Sequence, residues 1–376
     1  MNQVTNPRQR VVLLFGGRSG EHSISCVTAG SILRAIDRTR FEPVPVGISR
    51  TGRWTLEADD AEALTKHGSE LPEVAGTGPE VLPPVVAGSN IWRVIEAGQV
   101  RDLGPIDAVF PLLHGPFGED GTVQGLLELT DQRYVGSGVL ASALGMDKGY
   151  MKRALAGCGL PVAPYQLVLA ADWQADPAAV MARLEALPRP WFVKPCRAGS
   201  SLGISKVDQV ADLAAAIDLA ASHDPRVLVE TTLKGREVEC AVLGSLGGRP
   251  PRASLPSEIV VAGQHEFYDF DAKYLDGAGA DLRCPADLPP EATAQLQALA
   301  VAAFQAIGAE GLARIDCFYD ASAPPGEQFT INEINTMPGF TPISQYPQMW
   351  AVSGLPYTQL ISELIDLALD RPLGLR

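Results

Sequence analysis

Gly311-Leu312-Ala313-Arg314-Ile315-Asp316-Cys317-Phe318-Tyr319 and Phe329-Thr330-Ile331-Asn332-Glu333-Ile334-Asn335-Thr336-Met337-Pro338-Gly339 read as two strands. The turn-rich Asp320-Ala-Ser-Ala-Pro-Pro-Gly-Glu-Gln328 between them closes an antiparallel hairpin. If the hairpin is symmetric about its loop, Asp316 lies opposite Glu333 and Arg314 opposite Asn335. Side chains alternate along a strand, so Arg314, Asp316 and Phe318 share one face with Glu333 and Asn335. Two facing carboxylates repel unless a cation sits between them, and an all-oxygen set of Asp, Glu and Asn suits a hard ion such as Mg2+. A merely solvated strand face is the bland alternative. It fits poorly with the apolar flanks and the Asn-Thr-Met-Pro-Gly ending.

Outward from this hairpin, the 376 residues are enough for two or three domains around a parallel or mixed sheet. Forty-four carboxylates against 30 Lys and Arg, with no basic run, argue against nucleic acid or an anionic membrane as the main partner. The polar start and the lack of any apolar run of spanning length lead to the expectation of a cytoplasmic protein. Six cysteines (26, 158, 196, 240, 284, 317) are scattered without Cys-x-x-Cys pairs, so neither a disulfide frame nor a zinc site is expected.

At the amino end, Val11-Val-Leu-Leu-Phe15 is a continuous apolar run, as in a parallel strand covered on both faces, and it leads into Gly16-Gly-Arg-Ser-Gly-Glu-His22. A helix capped by Ser23 and a returning strand, Phe41 to Ile48, complete the unit. The glycines do not follow G-x-G-x-x-G and the second strand ends without an acidic residue, which argues against a dinucleotide site. Glu21, at a strand end and a helix start, is better placed to touch a small ligand. Residues 60 to 100 read as loops and an insertion. Ala108 to Leu113 is another buried strand opening into His114-Gly-Pro-Phe-Gly-Glu-Asp-Gly121, where His114 is equally compatible with a structural or a ligand role.

Gly136-Ser-Gly138 marks a boundary, giving an expected first domain of residues 1–137. The next helix begins at Met146-Asp-Lys148 and ends near Gly157. A lysine in the first turn opposes the helix dipole, so Lys148 is either exposed or reaching for an anion. Trp191-Phe-Val-Lys194-Pro195 is a strand whose lysine would be costly to bury unpaired, and a Gly/Ser loop through Ser200 and Ser201 follows. No G-x-x-x-x-G-K-[ST] pattern occurs, so a nucleotide would be held another way. Arg226 to Glu230 is a further strand, leading through Leu233 to Glu237, where a base and a ribose could be bound or where two charged residues simply turn. The polar stretch from Val260 to Pro289 suggests a lid. An amphipathic helix then precedes the hairpin, and Leu355 to Leu369 closes the chain.

The strand lysine before a Gly/Ser loop, the Glu230/Glu237 pair and the Asp, Glu and Asn hairpin together resemble the ATP-grasp superfamily. Within it, the bacterial D-alanine:D-alanine ligases are similar over essentially the whole chain. The carrying motifs are Gly16 to Ser25, His114 to Gly121, Met146 to Lys148, Lys194-Pro with Gly199 to Ser201, Phe267 to Tyr274, Arg314 to Asp316 and Asn332 to Thr341. The resemblance implies an α/β and α+β protein: an open parallel-sheet, Rossmann-like domain (1–137), then a central ATP-grasp lobe (138–229) and a C-terminal lobe with lid and metal site (230–376).

It implies that Lys148, Lys194 and Lys273 bind the phosphates of ATP and that Glu230, Leu233 and Glu237 hold adenine and ribose, with Phe318 under the base. Asp316, Glu333 and Asn335 would ligate two Mg2+ or Mn2+ ions. Glu21 would take the ammonium of the first D-alanine, with His114 nearby. Arg314 and the amide of Gly339 would steady the oxyanion, and Ser344 would receive the second carboxylate. Tyr274 would tie the lid to Ser200 and Glu21. The implied reaction is ATP-dependent formation of D-alanyl-D-alanine through an acyl phosphate, by a homodimer. Many relatives carry lysine after the glutamate at 230, whereas this chain has Thr231, which puts an adenine contact from that position in doubt. A D-alanine:D-lactate ligase and a non-catalytic nucleotide sensor are the competing readings.

Overall fold

In the computed structural model, which describes residues 7–66, 68, 70–199, 202–261 and 280–374, Gln9–Gly16 forms β1, buried from Val11 onward. It is flanked on both sides by parallel partners, β2 (Phe41–Ile48) and β7 (Ala108–Pro111). Between these in sequence lie β3 (Trp54–Leu56), β4 (Glu80–Leu82), β5 (Ile91–Glu96) and β6 (Gln99–Pro105). They extend the sheet antiparallel in the order β6-β5-β4-β3-β2-β1-β7. The expectation of loops and an insertion over residues 60 to 100 is therefore corrected: two strands and the start of a third fall there. Their hairpin turns on Ala97 and Gly98, with φ of 49° and 77°. Such a two-residue turn normally advertises itself with Asn-Gly or Asp-Gly, and an alanine in the left-handed region carries no such signal.

Ser23 does not cap the first helix, which runs His22–Ala35 with Glu21 at its N-cap position. Ser25 has the more telling contacts. Its Oγ accepts from Gly16 N at 2.8 Å and donates to Leu112 O at 2.6 Å, tying the ends of β1 and β7 together where the sheet opens to a ligand.

The second sheet contains β8 (Tyr165–Leu169), β9 (Trp191–Pro195), β10 (Ser205–Val207) and β11 (Arg226–Thr231), antiparallel in the order β10-β9-β11-β8. Residues 232–235 lead to the third sheet: β12 (Arg236–Leu243), β13 (Arg252–Ala253), β14 (Ser257–Val261), β15 (Ala280–Arg283), β16 (Leu312–Tyr319) and β17 (Phe329–Asn335). Its order is β15-β14-β12-β16-β17, with β13 also on β12. β14 and β15 pair, so the two ends of the stretch expected to be a structureless lid are strands. The motif Phe267 to Tyr274 lies outside the described residues, as do Ser200, Ser201 and Lys273.

The helix Pro290–Ala306 and the helix Lys148–Gly157 bury Leu296, Ala300, Met151 and Leu155 against the third sheet. The C-terminal helix Tyr357–Asp370 crosses back to the first sheet. Its Leu360, Ile361, Leu364 and Ile365 share a core with Val11, Leu13 and Phe15. Between the hairpin and this helix lies one more helix, Gln345–Val352.

Candidate active site

The hairpin pairs as expected at its business end: Arg314 with Asn335, and Asp316 with Glu333. Beyond Asp316 the register slips by one, so Cys317 pairs with Ile331 and Phe318 with Thr330. Asn332 is the extra residue of this bulge, a device that re-aims side chains beside a site. Its Oδ1 accepts from Lys194 Nζ at 3.3 Å.

β12 lies on the other side of β16 and sets Glu239 opposite Asp316. Three carboxylates thus stand in a row across three strands, where the sequence reading saw two. The missed signal is period two, since Glu239 is two residues from Glu237 and shares its face. Arg314 grips Asp316 with Nε and Nη2, each at 2.7 Å, and its Nε lies 3.2 Å from Glu239. Burial works against the guanidinium's charge, but Asp316 and Glu239 outweigh it and hold its pKa well above the ordinary range. Asn335 donates Nδ2 to Asp316 at 2.9 Å, which makes its Oδ1 the atom able to ligate a metal.

Asp316, Glu333 and Asn335 fit a hard divalent ion. Their donors are oxygen, and both carboxylates already attract cationic groups, Arg314 on Asp316 and Lys148 on Glu333 at 3.2 Å. Among the described residues no cluster of three His, Cys, Asp or Glu side chains is gathered closely enough to enclose a metal by itself. A set this sparse suits Mg2+, which keeps several ligands from water and substrate phosphates.

The second sheet and its neighbouring helix supply the lysines. Asp147 caps the helix by accepting from Gly149 N and Tyr150 N, both at 3.0 Å, and pairs with Arg226 at 3.0 Å. The backbone N of Lys148 donates to Cys196 O at 3.1 Å, and its Nζ to Ala198 O at 3.2 Å. Burial pulls the Lys148 ammonium down, yet Glu333 more than compensates and the net shift is upward. From β9, Lys194 reaches Glu230 at 2.6 Å. One turn beyond Lys148, Lys152 reaches the same carboxylate at 2.8 Å. Burial would raise Glu230, but Lys152 and Lys194 overwhelm that effect and bring it to about 2. Lys152 was missed because an isolated helical lysine reads as a solvated one; its spacing of four from Lys148 was the available clue.

The residues expected at the base lie close by. Glu237 is paired in register with Phe318, and Leu233 is half-buried in the passage from β11 to β12. The hydroxyls of Thr231 and Thr232 are buried without a hydrogen-bond partner among the described residues.

On the first sheet, Glu21 sits where two loops converge. A Cβ on Gly115, whose φ is 74°, would come within 2.9 Å of Glu21 Oε2, and one on Gly199 within 3.2 Å. Glycine at both positions lets the His114 loop and the end of the Gly/Ser loop approach the carboxylate. Ser19 Oγ braces this corner, accepting from Glu21 N at 3.2 Å and donating to His114 O at 2.7 Å. His114 is buried with Nδ1 3.3 Å from Glu119. Burial alone would lower His114, but Glu119 and Glu21 turn the shift upward. Near Gly339, Ser344 Oγ accepts from Thr341 N at 3.1 Å and stands at the start of the helix Gln345–Val352.

Gly199 lies close beside Glu21, its neighbour Ala198 accepts from Lys148, and Lys148 pairs with Glu333, so elements of all three sheets border one site. Family models for the D-ala D-ala ligase N-terminus and C-terminus match residues 10–137 and 154–366. The chain belongs to the D-alanine–D-alanine ligase family.

The curated D-alanine–D-alanine ligase of Arthrobacter sp. (strain FB24) is 55% identical, with 100% of this chain and 99% of the relative covered. That of Streptomyces griseus is 50% identical, covering 100% and 96%. Among solved structures, the D-alanine-D-alanine ligase from Coxiella burnetii superposes with TM-score 0.79 at 33% identity, covering 97% and 95%. The VanG D-Ala:D-Ser ligase from Enterococcus faecalis gives 0.81 at 33%, covering 96% and 99%. The α/β architecture is thus the ATP-grasp ligase fold with a parallel-sheet amino-terminal region, and the chain is an ADP-forming ligase. This D-alanine–D-alanine ligase family uses ATP and a divalent metal.

Proposed function

We propose that the chain joins two molecules of D-alanine to D-alanyl-D-alanine for peptidoglycan synthesis, and that the site described above carries both chemical steps. The observation that supports this most strongly is the meeting of Glu21, the lysines at 148 and 194, and the carboxylate row of β12, β16 and β17 around one space. Glu21 receives the ammonium of the first D-alanine, with His114 behind it. That places the substrate carboxylate toward Arg314 and the Gly339 amide. A carboxylate oxygen forms a bond to the γ-phosphorus as the bond to ADP breaks, giving an acyl phosphate. The amine of the second D-alanine then bonds to the carbonyl carbon, loses a proton, and phosphate departs. Ser344, at a helix N-terminus, suits the second carboxylate.

Lys148 and Lys194, with Lys273 outside the described residues, bind the phosphates. Glu230, Leu233, Glu237 and Phe318 form the base and ribose site. Asp316, Glu333 and Asn335 hold two Mg2+ or Mn2+ ions, which when bound neutralise charge on the transferring phosphoryl group. The protein's own contribution is placement and exclusion of water, since water would destroy the acyl phosphate. Ser200 and Tyr274 are assigned to closing the site.

A coupled ADP-release assay with D-alanine, D-lactate, D-serine and L-alanine tests the reading. Release stimulated by D-alanine alone, with dipeptide as product, is the expected result. A preference for D-lactate or D-serine as second substrate would move the chain to an ester- or mixed-dipeptide-forming specificity. No stimulation by D-alanine would remove the enzyme reading. Among the described residues no helix is long and apolar enough to cross a membrane. We place the enzyme in the cytoplasm as a homodimer. The exposed Leu129 and Leu140, on the neighbouring helices Thr122–Leu129 and Val139–Met146, are side chains an interface would cover. Light scattering on the purified chain would reveal a monomer if this is wrong.

A further inference from the structure

Lys148 and Lys152 lie one turn apart on a single helix, and each holds a carboxylate of a different sheet. Lys148 meets Glu333 of β17, and Lys152 meets Glu230 of β11. Their accessibility separates their roles. The Lys148 side chain is 13% exposed and that of Lys194 is 12%, whereas Lys152 is 1% exposed. A ligand can touch the first two. Lys152 has no path to solvent, so whatever it does must be done through Glu230.

Glu230 is also buried, and it has two ammonium groups within 2.8 Å. Lys194 holds it at 2.6 Å while also reaching Asn332 at 3.3 Å beside the metal face. Lys152 lies 2.8 Å from Oε2 as an ion pair, off the alignment of a hydrogen bond, and its ammonium has no hydrogen-bond partner among the described residues. One buried carboxylate needs one counter-ion. A second is redundant in the resting protein unless one of the two has another task.

We propose that Lys152 is a positioning residue for nucleotide binding: it is the fixed counter-ion of Glu230, and its presence frees Lys194 to leave that carboxylate for the polyphosphate. This rests on the reading of Lys194 as a phosphate ligand. With Lys152 in place, withdrawal of Lys194 leaves a balanced buried pair. Without it, the same withdrawal strands a carboxylate in a low-dielectric interior, which is far costlier than never having paired it. The protein would then either hold Lys194 back from the nucleotide or put a proton on Glu230. The charged groups acting on Glu230 are Lys152 and Lys194, with Lys148 acting from one turn away, and the helix carrying two of them is locked by the Asp147 cap and the Asp147–Arg226 pair.

The discriminating measurement is Mg-ADP binding to the full chain by calorimetry, from about pH 6 to about pH 8.5, in buffers of differing ionisation enthalpy so that protons are counted. Lys152→Met is expected to weaken binding on the order of 10- to 100-fold at the alkaline end. Part of that loss should return as the pH falls, with proton uptake beyond that of wild type, because protonating Glu230 releases Lys194. Lys152→Arg restores a fixed cation beside Glu230, although it fits the space less well than Met, and should bind within about tenfold of wild type without the extra proton. A packing role for Lys152 would instead give the same weakening at every pH, no extra proton and no recovery in Lys152→Arg, and that result overturns the proposal. Should Lys152→Met fail to fold, Lys152→Gln takes its place in the same titration: pH-dependent weakening with extra proton uptake supports the proposal, and pH-indifferent weakening defeats it. A wild-type chain that does not bind Mg-ADP would refute the functional reading, whereas pH-indifferent binding by Lys152→Met refutes only the role of Lys152.

Discussion

Two ionic clusters border this site, and they are built on opposite plans. On the third sheet, Glu239, Asp316 and Glu333 stand in register across three strands, with Arg314 folded onto Asp316 and Lys148 on Glu333. On the second, Lys152 and Lys194 close on the single carboxylate of Glu230. A face of carboxylates suits a divalent cation, and a place rich in ammonium groups suits a polyphosphate, so a metal–nucleotide complex matches both at once. The clusters differ also at the edge nearest solvent. The Glu333 side chain is 25% exposed and can exchange its partner, whereas Asp316, Glu239 and Glu230, at 3%, 2% and 4%, cannot. Turnover is expected to depend most on the carboxylate row, and stability most on the Glu230 pair.

The largest effect that would break this contrast is on turnover. Asp316→Ala removes the central carboxylate of the row and is expected to lower kcat on the order of 1,000-fold or more, with the melting transition still cooperative. Glu333→Ala should do the same. A steady-state assay at saturating ATP and D-alanine that found turnover retained in either would sink the metal assignment and leave the row as mere sheet chemistry.

The next effect is on stability, and it belongs to the other cluster. Glu230→Gln leaves two buried ammonium groups without their carboxylate, and is expected to cost about 3–5 kcal/mol in a denaturant titration. The pH dependence has a definite sign. Burial opposes the Glu230 charge but the two lysines dominate, so its folded pKa lies below the ordinary 4.5, at about 2. The stabilisation is therefore complete above about 4.5 and is lost as the pH falls from there toward about 2. Wild type should lose stability through that window more steeply than Glu230→Gln. Parallel curves would show that the pair is not what the acid titrates.

How much of this was open to sequence reasoning follows from where each signal lives. The hairpin was legible down to Asp316 facing Glu333, because alternation and a turn-rich loop are local properties of the chain. The bulge at Asn332 was not, since an extra residue in one strand changes no periodicity that can be seen before the strands are paired. Glu239 and Lys152 are similar failures. Each has a partner in a distant element, Asp316 across a ladder and Glu230 across a helix–sheet contact, and neither residue type is unusual where it stands. β4 to β6 were lost for another reason. Strands as short as Glu80–Leu82 and a turn carried by Ala97-Gly98 offer little alternation and the wrong turn residues. Glu21 was read from its position at a strand end. That Gly115 and Gly199 both converge on it required the folded chain.

The smallest effect tests the contrast from the other side. Glu333→Gln keeps the shape of the metal face and removes one charge from a row of three carboxylates. Its partner Lys148 retains the carbonyl of Ala198 at 3.2 Å, so no ammonium is stranded. Removing one of several like charges also relieves repulsion within the row, which offsets the lost attraction to Lys148. The unfolding free energy without ligand should therefore move by no more than about 1 kcal/mol, in either direction. Wild type should gain melting temperature when Mg-ADP is added, by mass action, and the variant should lose most of that gain. If Glu333→Gln instead costs as much as Glu230→Gln in the absence of ligand, the two clusters are equally structural, and the division of labour between the carboxylate row and the Glu230 pair does not hold.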